Sequence, residues 1–196
     1  MKTIANNIDN EIIIKNSKFI TNIFKINNFN EINNYLELIK NKYKDATHNP
    51  YAYIYEDKKK SADDGEPSNT SGLPILQVLE KKELSNILVV VTRYFGGIKL
   101  GAGGLVRAYT KSVTNALEKA NYIELDKGIN INIIFNYDNI KNIDYLLKDI
   151  TILNKEFNDN IIYNVNISYE LLNKLKEFKN IKIDIIKEVY IEKRRN

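Results

Sequence analysis

The sequence predicts an α+β chain of two domains, and three observations predict it. An unbroken aliphatic run, Ile87-Leu88-Val89-Val90-Val91, leads into a glycine-rich stretch and then into a segment with helical apolar spacing. Beyond Gly128 the pattern alternates between strand and helix periods in the order strand, helix, strand, strand, helix, strand. Between these regions Asn121 to Gly128 reads as a linker, so the expected division is residues 1–124 and 125–196. A length of 196 residues is enough for two small domains that each bury a core.

The elements follow in order. Glu11 to Lys15 and Lys18 to Ile26 read as strands, the second rich in Ile, Phe and Thr. Asn30 reads as the N-cap of a helix to about Tyr43, because Ile32, Leu36 and Ile39 recur at helical spacing. Tyr51 to Tyr55 alternates as a strand, and Lys58 to Gly72 reads as a polar loop with turn signals at Asp64-Gly65 and Glu66-Pro67. Pro74 suits the first turn of a short helix ending near Lys82, where its missing N–H costs nothing. Asn86 to Tyr94 is expected to be a central strand buried on both faces. A helix from about Gly104 to Ala120 carries Val106, Tyr109, Val113, Leu117 and Ala120 as one apolar stripe, with Arg107 and Lys111 on another face.

The second domain is expected as strand Ile129 to Tyr137, helix Asp138 to Lys148, strand Thr151 to Phe157 and a turn at Asn158-Asp159-Asn160. Strand Ile161 to Ser168, helix Tyr169 to Phe178 and strand Ile181 to Ile191 complete it. That βαββαβ order is the split βαβ arrangement of ferredoxin-like domains.

Composition narrows the chemistry. The absence of cysteine removes disulfides, thiol nucleophiles and zinc-thiolate sites, and a single histidine, His48, argues against a histidine-built metal site. No metal and no cofactor are expected. The net charge of +4 is spread evenly, with 17 basic and 15 acidic groups in residues 1–126 and 12 and 10 in the remainder. Contact with nucleic acid would therefore come from a local patch and be salt-sensitive. The first residues lack the apolar core of a signal peptide and Ile87 to Val91 is too short to span a bilayer, so the expected location is the cytoplasm, with no membrane partner.

Glycine is distributed unevenly. Seven of eight glycines and all three prolines lie between Pro50 and Gly104. The densest stretch runs Arg93-Tyr94-Phe95-Gly96-Gly97-Ile98-Lys99-Leu100-Gly101-Ala102-Gly103-Gly104. Backbone N–H groups exposed by glycines at a helix start form an anion site, and Arg93, Lys99, Arg107 and Lys111 add positive charge. Lysine outnumbers arginine 25 to 4, yet Arg93 and Arg107 bracket this loop, which suggests a need for the planar guanidinium fork. The plainer alternative is that the glycines only allow close packing. The spacing completes neither a Walker loop nor a dinucleotide fingerprint.

Three further features allow more than one reading, and a fourth allows one. The acidic turn Asp63-Asp64-Gly65-Glu66 could hold magnesium, order Arg93 or Arg107, or simply be solvated. His48 could act as a general base, but without a recognisable nucleophile a structural or binding role explains it better. Tyr51, Tyr53, Tyr55 and Tyr94 could stack on single-stranded nucleic acid, although alternation of the first three favours sheet packing. The Lys193-Arg194-Arg195 tail reads as solvated.

The run from Gly72 to Gly101 ends in Val90-Val91-Thr92-Arg93-Tyr94-Phe95-Gly96-Gly97-Ile98-Lys99-Leu100-Gly101 and closely resembles the signature of the Impact family, the YigZ group in bacteria. The likeness continues through Gly103-Gly104-Leu105-Val106-Arg107-Ala108-Tyr109 and Asp63-Asp64-Gly65-Glu66-Pro67, and back to His48 and Ala52. It implies an N-terminal ribosomal protein S-five domain-2-like α/β sandwich, a sheet backed by helices with a left-handed crossover. Bacterial members are similar in carrying a ferredoxin-like second domain, which resembles late domains of elongation factor G.

The resemblance implies a role in regulating translation. Eukaryotic relatives resemble inhibitors that compete for a ribosome-associated activator of a starvation-responsive kinase. The residues here hold no counterpart of their N-terminal partner-binding domain, so that role is not carried over. The expectation is a non-enzymatic regulator binding RNA, the ribosome or a ribosome-associated protein through Arg93, Gly96, Gly97, Lys99, Gly101, Gly103, Gly104, Arg107 and Lys111. His48, Asp63, Asp64 and Glu66 would support that loop. The competing expectation is an enzyme acting on a phosphorylated small molecule, with magnesium held by the acidic turn.

Overall fold

The structure, a computed structural model, describes residues 1–193; Arg194 and Arg195 of the expected tail lie outside the described residues. It is a mixed α/β chain with two sheets and five α-helices among those residues. Two compact units divide it, Met1–Glu124 and Leu125–Asn196. Among the described residues no helix is long and apolar enough to cross a membrane.

The first unit holds β1 (Lys2–Ile4), β2 (Ile8–Ile14), β3 (Ser17–Lys25), α1 (Glu31–Lys42), β4 (Tyr51–Tyr55) and β5 (Lys58–Ala62). It continues through α2 (Gly72–Lys81), β6 (Ile87–Tyr94) and α3 (Ala102–Leu117) into β7 (Tyr122–Phe135), within which the unit boundary falls. One antiparallel sheet runs β2-β3-β6-β4-β5, with β6 in the middle. Strand alternation explains why this run is aliphatic throughout. Ile87, Val89 and Val91 join the cluster formed with α2 and α3, whereas Leu88 and Val90 join the cluster containing Ile32 and Ile39 of α1. Helix α3 meets the sheet with Leu105, Ala108, Tyr109, Ser112, Val113, Ala116 and Leu117, leaving Arg107 and Lys111 in solvent.

Three sequence expectations need correction in this unit. Lys2–Ile4 forms β1, paired with the first residues of β7, although three residues carry too little pattern to announce a strand. Lys58 to Ala62 is the edge strand β5 rather than loop. Its lysines hide the alternation because an edge strand needs no second buried face, and charged side chains there discourage further pairing. Asn30 occupies the cap position of α1 but makes no side-chain capping bond.

The second unit runs from β7 through a 3-10 turn (Tyr137–Asn139), α4 (Ile140–Leu146), β8 (Ile152–Phe157), β9 (Ile161–Ile167), α5 (Tyr169–Lys176) and β10 (Ile181–Glu192). Its sheet order is β10-β7-β9-β8, all antiparallel. Alternate residues of β9, Ile161, Tyr163, Val165 and Ile167, are buried against Ile143, Leu172 and Leu175 of the helices. Ser168 caps α5 by accepting from Leu171 N at 3.2 Å. Helix α4 is shorter than expected, its first turn being the 3-10 segment.

The expected linker Asn121 to Gly128 is instead largely strand, since β7 starts at Tyr122. Gly128 is there for proximity, not for a turn: a Cβ would lie 2.7 Å from the Ile167 carbonyl oxygen and 2.9 Å from an Ile191 methyl. Gly128→Ala should therefore overpack the sheet and destabilise the second unit by about 1–3 kcal/mol, measured as a lower denaturant midpoint for loss of its signal.

Candidate functional site

Strand parity decides the fate of Arg93. It is the next odd position after Ile87, Val89 and Val91, so its side chain enters the same interior as theirs, and it is only 5% exposed. There its Nη1 donates to Glu66 Oε1 at 2.7 Å, and the Tyr109 hydroxyl donates to the same oxygen at 2.7 Å. Arg93 Nη2 reaches Ser17 Oγ at 3.5 Å. The guanidinium also lies 5.5 Å from the ring centres of both Phe19, its cross-strand neighbour, and Phe95. Its Nε is buried without a partner. Burial, then the bond to Glu66, push the Tyr109 hydroxyl far above its ordinary value, so it remains a donor.

His48 borders this cluster. Its Nδ1 lies 2.8 Å from the Asp64 carbonyl oxygen. A carbonyl only accepts, so Nδ1 carries the hydrogen and Nε2 faces Glu66 Oε2 at 4.0 Å. The backbone of His48 pairs with that of Arg93, with Arg93 N donating to the His48 carbonyl at 2.8 Å.

The acidic turn is spent internally. Asp63 Oδ1 accepts from Ser71 N at 3.0 Å, Ser71 Oγ at 2.7 Å and Gly72 N at 2.8 Å, while Oδ2 accepts from Asn69 N at 2.8 Å. Burial opposes ionisation of Asp63, but these donors, the Ser71 hydroxyl foremost, outweigh it and hold the carboxyl below its ordinary 3.8. Asp64 Oδ2 accepts from Asn49 N at 2.6 Å. Glu66 serves Arg93 and Tyr109. The carboxylates that the magnesium reading required are thus engaged by protein donors. Among the described residues no three His, Asp or Glu side chains group as a metal site.

Above this buried layer runs the glycine loop. Phe95 N donates to Thr47 Oγ1 at 3.1 Å and Gly96 N to Ser17 Oγ at 3.2 Å. Gly96 presses so closely on the Asn16 backbone that no Cβ would fit. Beyond this anchored start, Gly97, Ile98, Lys99 and Gly101 are exposed. Gly101 sits at φ 71°, where a side chain would be strained, and occupies the cap position of α3 without a side-chain capping bond. Leu105 N donates to the Gly101 carbonyl at 2.9 Å, so the N–H groups of Ala102, Gly103 and Gly104 have no carbonyl one turn behind them. The first turn of α3 contains no acidic residue. A Cβ on Gly103 would lie 3.6 Å from Arg107 Nη1, so this guanidinium leans over the helix start.

The expected site residues therefore separate into two groups. Lys99, Gly97, Gly101, Gly103, Arg107 and Lys111 are exposed, and Gly104, where an added Cβ would lie 3.1 Å from Leu100 Cβ, is partly so. Arg93, expected to meet an external anion, is instead paired inside, with Glu66 as its counter-ion and His48, Asp63 and Asp64 around the same turn. Sequence reasoning missed Tyr109 and Phe95. Tyr109 passed as one more apolar residue of the α3 stripe, although a hydroxyl-bearing ring in a core is itself a sign of a buried acceptor. Phe95 lies beside glycines and is 47% exposed.

Substitutions at two positions test this reading of the buried layer. Glu66→Ala leaves Arg93 charged and unpaired inside, so it should cost about 3–5 kcal/mol in denaturant unfolding, with Glu66→Gln milder because it still accepts from Tyr109. Asp63 has a folded value below its unfolded one, so its stabilisation is complete above about pH 4 and is lost as pH falls through the folded value. An acid titration of Asp63→Asn should accordingly lose less stability below about pH 4 than the parent protein does.

Residues 15–117 match the Impact N-terminal domain, a span that contains every residue of the buried layer and of the exposed loop. IMPACT family member YvyE of Bacillus subtilis is 38% identical over 172 residues, covering 86% of this chain and 77% of the relative. IMPACT family member YigZ of Escherichia coli is 37% identical over 111 residues, 54% of each chain. The crystal structure of a hypothetical protein aligns over 95% of this chain and 97% of that one, with a TM-score of 0.75 at 27% identity. The chain belongs to the Impact family.

Proposed function

We propose that this chain is a cytosolic, translation-linked regulator that docks on structured RNA, the ribosome or a ribosome-associated factor through its glycine loop. The observation that carries the reading is the exposed Arg107 guanidinium over the uncapped start of α3, where three backbone N–H groups lack partners within the helix. A phosphate oxygen there accepts from Gly103 and Gly104 amides and from Arg107, with Lys99 and Lys111 adding positive charge. Arg93 holds the loop from below and does not touch the partner. His48, Asp63, Asp64 and Glu66 fix the turn that carries its counter-ion.

The translational context is what membership of the Impact family supports, following the resemblance drawn from the sequence. In this reading the first unit is ribosomal protein S-five domain-2-like and the second is ferredoxin-like. The second assignment is supported by the βαββαβ order and the strand arrangement β10-β7-β9-β8. With charge balanced over the chain, affinity comes from the local patch and falls steeply with salt. Ribosome co-sedimentation across a salt series tests this. Arg107→Ala should weaken binding at every salt concentration and reduce the slope of log affinity against log salt by about 1. An unchanged slope would remove Arg107 from the contact.

A further inference from the structure

The exposed loop holds a feature that phosphate binding alone does not use. Phe95 and Ile98 are 47% and 45% exposed, on a loop whose other exposed side chain before Gly101 is Lys99. What sets Phe95 apart is how firmly its position is held. Its N–H is tied to Thr47 and the next amide to Ser17, so the backbone on both sides of its Cα is fixed. Its ring lies over the Arg93 guanidinium, itself clamped by Glu66. The guanidinium carbon lies 5.5 Å from the ring centre, so a rigid cation supports the ring from the protein side. The occupant that suits both a fixed aromatic and a neighbouring cluster of cations is a nucleotide, because every base offers a flat π face and every linkage a phosphate.

The geometry points to recognition of an unpaired nucleotide, its base stacked on Phe95 and its phosphate taken by the Ala102 to Gly104 amides with Arg107. This rests on the anion-binding reading above and adds the class of nucleic acid. A continuous duplex keeps its bases stacked on one another and offers the ring nothing, so the target is a loop, bulge or single strand. Charge complementarity favours nucleic acid over an apolar protein segment: Lys99, Arg107 and Lys111 are exposed around the loop, and the nearby acids Asp63, Asp64 and Glu66 are committed to internal donors.

Fluorescence anisotropy of the full chain with three labelled RNA probes tests the inference: a uridine-rich strand, a strand of equal length with abasic residues, and a blunt duplex. The base-containing strand should bind at least several-fold more tightly than the abasic one and than the duplex. Phe95→Ala should weaken that strand about 10-fold, leave the abasic strand and the salt slope unchanged, and keep the parent's circular dichroism. Phe95→Leu, which retains bulk without a flat ring, should behave like the alanine variant. Equal binding of base-containing and abasic strands, both still weakened by Arg107→Ala, would overturn stacking while leaving anion binding intact. Failure of every probe to bind would overturn both. Binding indifferent to Phe95 would also overturn the stacking proposal.

Discussion

The buried ion pair of Arg93 with Glu66 is the constraint on which the N-terminal unit's surface depends. A guanidinium at the end of a central strand cannot be desolvated alone, and the attraction to Glu66 offsets that cost only because further donors and aromatic faces complete the cage. The pair fastens together four separate pieces of chain. Glu66 comes from the turn before α2, Arg93 from the end of β6, Tyr109 from α3 and Ser17 from the start of β3. Whatever leaves β6 must therefore start from a fixed point.

The glycine loop starts from that point. Its first two amides are held by Thr47 and Ser17, and Gly96 lies against the β2–β3 hairpin where any side chain would collide. Past that anchor the chain rises into solvent and re-enters as α3 through Gly101. The result is a short exposed arc between two rigid ends, with free helix amides and Arg107 at one end and the Phe95 ring at the other. Rigidity matters because a binding surface ordered in advance does not spend its interaction energy on ordering itself. The two arginines that bracket the loop thus divide the work: Arg93 is interior and structural, Arg107 exposed.

Much of this was legible in the residues. The aliphatic run predicted the doubly buried strand, the glycine density located the loop, and the period changes after Gly128 gave the order of the second unit. What escaped was contextual. Arg93 looked available because a charge beside glycines suggests solvent, but its parity with Val91 and Val89 already turned it inward. Strand β5 was invisible because three consecutive lysines on an edge carry no apolar alternation. Gly128 reads as the end of a linker because glycine at a strand boundary is ambiguous between a turn and a close approach, and only the carbonyl of Ile167 decides. The Tyr109 contact joins residues 43 positions apart, a distance that local pattern does not reach.

On this reading a buried layer, with Arg93 paired to Glu66, holds an exposed loop ready for an anionic partner. Amide chemical-shift mapping of the full chain, titrated with a short RNA strand, tests it most directly. Changes should concentrate at Phe95, Gly97, Gly101, Gly103, Gly104 and Arg107, with the Arg93 side chain keeping its bond to Glu66. Changes gathered elsewhere on the chain, or an Arg93 resonance that moves with the ligand as a direct contact would, would contradict it.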